Sequence, residues 1–104
     1  MISKDLLFIS GENKISIINI NYYELIREIE VFNSGWINGA CLLNKNILLT
    51  GDDKGIIKEW IIEEDNLILI SMKENAHEDW IITLLNIGNG HIASGSFDKS
   101  IKIW

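Results

Sequence analysis

Along the whole chain, short apolar runs rich in β-branched residues alternate with clusters of Gly, Asn, Asp and Lys. Short runs of five to eight such residues separated by turn formers at close intervals predict strands throughout. The first group of predicted strands is Leu6–Ser10, Lys14–Ile20 and Leu25–Phe32. Trp36–Leu43, Ile47–Gly51, Ile56–Ile62 and Leu67–Met72 make the second, and Trp80–Leu85, His91–Gly95 and Ser100–Trp104 the third. Ile47-Leu48-Leu49 and Ile81-Ile82 are apolar on both faces, so these strands are expected in sheets covered on both sides. The turn Asp52-Asp53-Lys54-Gly55 is expected to be of type I′, with Gly55 at positive φ.

The groups are copies of one another. Thr50-Gly51-Asp52-Asp53-Lys54-Gly55-Ile56-Ile57-Lys58-Glu59-Trp60 returns 44 residues later as Ser94-Gly95-Ser96-Phe97-Asp98-Lys99-Ser100-Ile101-Lys102-Ile103-Trp104. Residues 33–60 lie over 77–104 without a gap, and Trp36 then matches Trp80. A worn third copy, Ser10 to Ile20, aligns Gly11 with Gly51 at a distance of 40 residues. A repeat of this length that closes on Trp is the signature of a propeller blade. A β-sandwich would also bury two-faced strands, but it gives no reason for the echo.

Ser-Gly-x-x-Asp-x-x-Ile-Lys-Ile-Trp at 94–104, with Ala76-His77 upstream, resembles the WD40 repeat family. The resemblance implies an all-β fold of antiparallel four-stranded sheets arranged as a partial β-propeller. The whole of 1–104 is then WD40 repeat region: a degenerate partial repeat at 6–32, a repeat at 33–75, and a repeat lacking its last strand at 76–104. The departures are local. Ala76 stands where the family usually has Gly, Trp60 is followed by Ile61, Asn33 takes the His position of the middle repeat, and Lys54 its turn Asp position.

The resemblance assigns His77, Ser94, Asp98 and Trp104 to the family's structural hydrogen-bond tetrad, expected in the last repeat and in neither of the others. It also places Trp60 and Trp104 in the core. Trp36 and Trp80, just after the loops that enter each blade, fall on the edge that WD40 proteins use for docking. Trp is among the residue types most enriched in interface hot spots, so Trp36, Trp80, Asp53, Phe97, Glu78 and Asp79 are candidate partner-binding residues. The implied function is a non-catalytic scaffold for other proteins or peptides. The alternative is a propeller that holds a small molecule or glycan in its central funnel.

Composition and charge narrow the field further. In 104 residues, 47% are hydrophobic and the net charge is −6, which leaves no basic stripe for nucleic acid or for anionic membranes. Cys41 is the single cysteine and points to a reducing compartment. No signal peptide is read at Met1-Ile2-Ser3-Lys4-Asp5 and no run is long enough to span a bilayer. An intracellular chain, cytoplasmic or nuclear, is therefore expected.

Catalysis and cofactors are not expected. Ser94, His77 and Asp98 carry triad chemistry, but no nucleophile elbow accompanies the serine and the fourth member is a Trp. His77 and His91 lack metal-ligand spacing, and His91 is expected at a strand end. Asp52-Asp53-Lys54-Gly55 is too short for a calcium loop, and Glu63-Glu64-Asp65 reads as a solvated hairpin tip.

Closed propellers need at least four blades, and about two and a half are present. With strands about 4.8 Å apart and residues about 3.3 Å apart, each end sheet presents a face of roughly 300 Å². Further propeller blades are expected to cover these faces, in cis or from other subunits. Ending at Trp104, inside a repeat, favours a piece of a longer propeller over a self-assembling subunit.

Overall fold

The computed structural model describes residues 2–3, 6–31, 35–64 and 66–104. Phe32 and Asn33, which carried strand and repeat expectations, lie outside the described residues, as do Met1, Lys4, Asp5, Ser34 and Asp65.

Among the described residues, eleven strands form three antiparallel sheets, each a meander of strands consecutive in sequence. Sheet one is β1 (Ile2–Ser3), β2 (Leu6–Gly11), β3 (Lys14–Asn19) and β4 (Glu24–Glu30). Sheet two is β5 (Ile37–Asn44), β6 (Ile47–Asp52), β7 (Ile57–Glu63) and β8 (Asn66–Lys73). Sheet three is β9 (Ile81–Gly88), β10 (His91–Ser96) and β11 (Ile101–Ile103). The sequence predicts three, four and three strands, and the structure has four, four and three. The addition is β1, whose Ile2 and Ser3 pair with Leu7 and Leu6. Two residues are too few to show alternation, so only pairing reveals them. The first sheet thus has a short strand ahead of Leu6.

The middle sheet is covered on both faces, as its two-faced strands require. On one side Ile37, Leu48, Trp60 and Leu67 meet Phe8, Ile15, Ile17 and Val31 of sheet one and its flank. On the other, Cys41, Leu49 and Ile57 meet Ala76, Ile81, Leu84 and Ile92 of the third repeat. Leu48 and Leu49 face opposite ways because successive strand side chains alternate. Each fully buried aliphatic side chain of this kind contributes about 1.5–3 kcal/mol.

Close approach of neighbouring sheets depends on Gly51. A Cβ there would come within 2.5 Å of Ile81 Cγ2. At the other seam, Ile37 occupies the place of Ile81, and its carbonyl accepts a hydrogen bond from Ser10 Oγ at 2.8 Å. Ser10, not Gly11, is therefore the counterpart of Gly51, and a Cβ at Gly11 would meet nothing within 4 Å. The alignment of Gly11 with Gly51 is corrected by one residue. A tighter β2–β3 turn absorbs the rest: Ser10 pairs with Ile15 where Gly51 pairs with Ile57.

The turn at Asp52 also differs from expectation. A type I′ turn needs positive φ at both central residues, but of its residues only Gly55 has one, at 75°. Gly55 N–H donates to Asp52 O at 3.1 Å and Asp52 N–H to Ile56 O at 3.3 Å, the bonds of a type I turn followed by a left-handed residue. The Asp52 carboxylate enforces it, Oδ1 accepting from Lys54 N–H at 2.9 Å and Ile56 N–H at 3.2 Å. A hairpin with the φ signs of type I′ joins β9 to β10, where Asn89 and Gly90 have φ of 56° and 78°.

Sheet three is covered on one face only. Ile82, Leu85, Ile101 and Ile103 lie exposed on it. The 44-residue repeat equates Leu85, Ala93 and Ile101 with Cys41, Leu49 and Ile57, which on sheet two are buried by the next repeat. No helix among the described residues is long and apolar enough to cross a membrane.

Candidate functional site: a buried seam beneath an aromatic rim

Sheet three is tied together from its entry loop to its last residue by a chain of side-chain hydrogen bonds. Trp104 Nε1–H donates to Ser94 Oγ at 2.9 Å, and Ser94 Oγ stands 2.6 Å from His77 Nε2. His77 Nδ1 stands 2.8 Å from Asp98 Oδ2. Only one proton arrangement satisfies every atom: the indole donates to the hydroxyl, the hydroxyl to Nε2, and Nδ1–H to the carboxylate. The structure brings His77, Ser94, Asp98 and Trp104 together, linked in the order Trp104, Ser94, His77, Asp98. His77 and Ser94 are buried, and no buried side-chain nitrogen or oxygen among the described residues lacks a partner.

Ser100, which the sequence did not single out, completes this seam. Its hydroxyl donates to Asp98 Oδ1 and lies 3.1 Å from His77 Nδ1. The Ser100 hydroxyl first, then His77 and the backbone N–H groups of Glu78 and Ser100, hold the Asp98 carboxyl well below the usual carboxylate range, against the opposing effect of burial. The signal was present as Asp98-Lys99-Ser100, an Asp followed two residues later by a hydroxyl in a turn.

Trp104 is half-buried, with Lys73 Nζ 4.7 Å and Lys102 Nζ 5.9 Å from its ring centre. Of the two tryptophans expected in the core, Trp60 is buried in mid-strand between two sheets, whereas Trp104 follows an edge strand and packs against the core only in part. The middle repeat keeps part of the seam, since Trp60 Nε1–H donates to Thr50 Oγ1 at 3.0 Å inside the core. Thr50 and Trp60 stand where Ser94 and Trp104 stand one repeat later.

Ser94 meets His77 as a triad serine would, but it is closed off from any substrate. It is 1% exposed, it accepts from one neighbour, and it donates to another. His91 begins β10 and bonds the Trp104 carbonyl through Nδ1 at 3.0 Å. Among the described residues no three His, Cys, Asp or Glu side chains gather in a metal-binding group.

The other candidate residues lie at the turn-bearing edge directly above the seam. Trp36 and Trp80 each precede the first strand of their sheet, and each accepts a backbone bond from the β-turn of that sheet. Asp53 N–H donates to Trp36 O at 3.0 Å, and Phe97 N–H to Trp80 O at 3.0 Å. The indoles nevertheless stay about half exposed, Trp36 at 51% and Trp80 at 46%. Trp80 and Phe97 form a tilted aromatic pair with ring centres 5.6 Å apart. Asp53 turns inward, Oδ2 accepting from Trp36 N–H at 3.3 Å and Oδ1 from Asn38 Nδ2. Glu78 and Asp79 are exposed beside Trp80. Glu78 N–H donates to Asp98 Oδ2 at 3.1 Å and Asp79 Oδ1 accepts from Trp80 N–H at 2.8 Å. Asp98 therefore joins the seam to the rim.

The middle and last repeats also meet at Gly55. Its carbonyl accepts from His77 N–H at 3.1 Å, and a Cβ on it would fall 2.1 Å from His77 O. Asn86, also missed in the sequence, fastens the far side of the same seam through Nδ2 to Leu42 O at 2.9 Å and Leu43 O at 3.1 Å.

Stacked antiparallel sheets, a glycine-dependent seam and a Trp–Ser–His–Asp chain define a set of propeller blades. No family model matches the chain. It is 30% identical over 96 residues to the WD repeat-containing protein 55 homolog of Dictyostelium discoideum, across 91% of this chain and 22% of that protein. To WD repeat-containing protein 55 of Rattus norvegicus it is 32% identical over 76 residues, across 73% of this chain and 19% of the relative. The chain spans about a fifth of the length of these curated relatives. A chain of the crystal structure of the mitotic checkpoint complex superposes with a TM-score of 0.81 at 20% identity, covering 96% of this chain and 31% of that one. The chain belongs to the WD40 repeat family.

Proposed function

We infer that these blades serve as a non-catalytic interaction scaffold: they stack with further blades of the same kind and offer their turn-bearing rim to a partner protein or peptide. The observation that carries this reading is the recurrence of an exposed Trp at one position of successive repeats, each held by a 3.0 Å backbone bond to the neighbouring turn. Rigid aromatic side chains left half in water lose little conformational entropy on binding and bury much area. The rim residues are Trp36, Trp80, Asp53, Phe97, Glu78 and Asp79. His77, Ser94, Asp98 and Trp104 act beneath them as structural support. The outer face of sheet three supports the stacking half of the reading, because Leu85, Ala93 and Ile101 repeat the residues with which sheet two receives its neighbour.

A displayed peptide library panned on the wild-type chain, and then on Trp36→Ala and Trp80→Ala with folding checked by circular dichroism, tests the proposal. Selected peptides should lose binding to one or both variants. Undiminished binding to both would remove the rim from the account.

A further inference from the structure

Resting on the rim reading above, we propose that the Trp80–Phe97 pair, with Glu78 and Asp79, is a subsite for a cationic side chain, arginine in the first instance, on an extended basic segment of the partner. The rim is neither purely apolar nor purely acidic. Two aromatic rings 5.6 Å apart and inclined at 32° stand about half exposed, and two consecutive exposed acidic residues, Glu78 and Asp79, directly precede Trp80 in the chain. A guanidinium stacks on an indole face while its N–H groups reach carboxylate oxygens, and neither ring nor carboxylate alone offers both.

The pieces are also held in place before any ligand arrives. Phe97 N–H bonds Trp80 O, Ser96 Oγ–H bonds Asp79 O at 3.3 Å, and Glu78 N–H bonds Asp98 Oδ2, itself fixed by His77 and Ser100. Asp79 gives only Oδ1 to Trp80 N–H. The cation in the same turn, Lys99, lies along the outer face of sheet three with Ile82 and Ile101. The chain's net charge of −6 steers a basic segment toward it and away from an acidic one.

The test is a titration of the full chain with fluorescent hexa-arginine, and with a neutral peptide of equal length, at low and at physiological salt. Hexa-arginine should bind better than the neutral peptide. Trp80→Ala, Phe97→Ala and the double variant Glu78→Gln/Asp79→Asn should each weaken it about 3- to 30-fold. Glu63→Gln/Glu64→Gln, at the β7–β8 turn on the opposite edge, should leave it unchanged. Equal weakening by the opposite-edge variant, with none from Trp80→Ala or Phe97→Ala, would mean diffuse attraction to an acidic protein and overturn the subsite. Absence of hexa-arginine binding would overturn it too. The rim reading would survive that result if library-selected peptides of other chemistry still depended on Trp80.

Discussion

His77 Nε2 and Ser94 Oγ lie 2.6 Å apart in the interior of sheet three, although 17 residues separate them in the chain. The loop before β9 is thereby fixed to the middle of β10, and the hydroxyl is the one group that both the imidazole and the Trp104 indole use.

Replacing Ser94 with Ala should therefore cost more than one hydrogen bond. Both Trp104 Nε1–H and His77 Nε2 would lose their partner in a site closed to water, a loss of about 1–3 kcal/mol. Urea unfolding followed by Trp fluorescence measures it. A change within a few tenths of a kcal/mol would mean that water replaces the hydroxyl.

Acid should dissolve the same seam. The Asp98 carboxyl titrates below its ordinary value near 3.8, so its contribution is fully present above about pH 4. The contribution is lost as the pH falls through 4 toward the lower folded value. Stability measured between pH 6 and pH 2 should fall in that window, and Asp98→Asn should flatten the fall. A variant with an unchanged acid limb would place the sensitivity in other carboxylates.

Gly51 and Gly11 should answer differently to the same substitution. At Gly51 a methyl meets Ile81 at 2.5 Å, and Gly51→Ala should destabilise by about 1–3 kcal/mol. Gly11→Ala enters open space and should be neutral, or stabilise by about 0.4–1 kcal/mol through the unfolded chain. Thermal melts of the two variants decide between the structural register and the one read by aligning the two glycines, which predicts similar losses.

Trp60 separates volume from hydrogen bonding in the core. Trp60→Ala should cost about 3–5 kcal/mol. Trp60→Phe keeps most of the packing but orphans the Thr50 hydroxyl, at about 1–3 kcal/mol. The ratio of the two losses, read from denaturant midpoints, reports how much of the middle blade rests on its remnant of the seam.

In the last repeat the four-residue seam was legible, because His77, Ser94, Asp98 and Trp104 are all present, but Ser100 and Asn86 were not. The middle repeat was legible as a blade from its two-faced apolar strands. What escaped was set by neighbours and not by pattern. A side chain packed on Ile37 distinguishes Ser10 from Gly11 as the seam residue. Pairing with Leu6 and Leu7 makes a strand of Ile2 and Ser3. The Asp52 carboxylate, bonded to Lys54 and Ile56 N–H, selects its turn type. The rim was legible as a set of residue types, but its rigidity was not, since Trp36 O and Trp80 O receive their bonds from turns 17 residues farther along.

Four indole N–H resonances report the central claim directly. Those of Trp60 and Trp104 are bonded to Thr50 and Ser94, while those of Trp36 and Trp80 belong to half-exposed rim side chains. In a nitrogen–proton correlation spectrum titrated with a library-selected peptide, the account predicts that the Trp36 or Trp80 signal, or both, moves while those of Trp60 and Trp104 stay. Movement of Trp60 or Trp104 with both rim indoles still would contradict it.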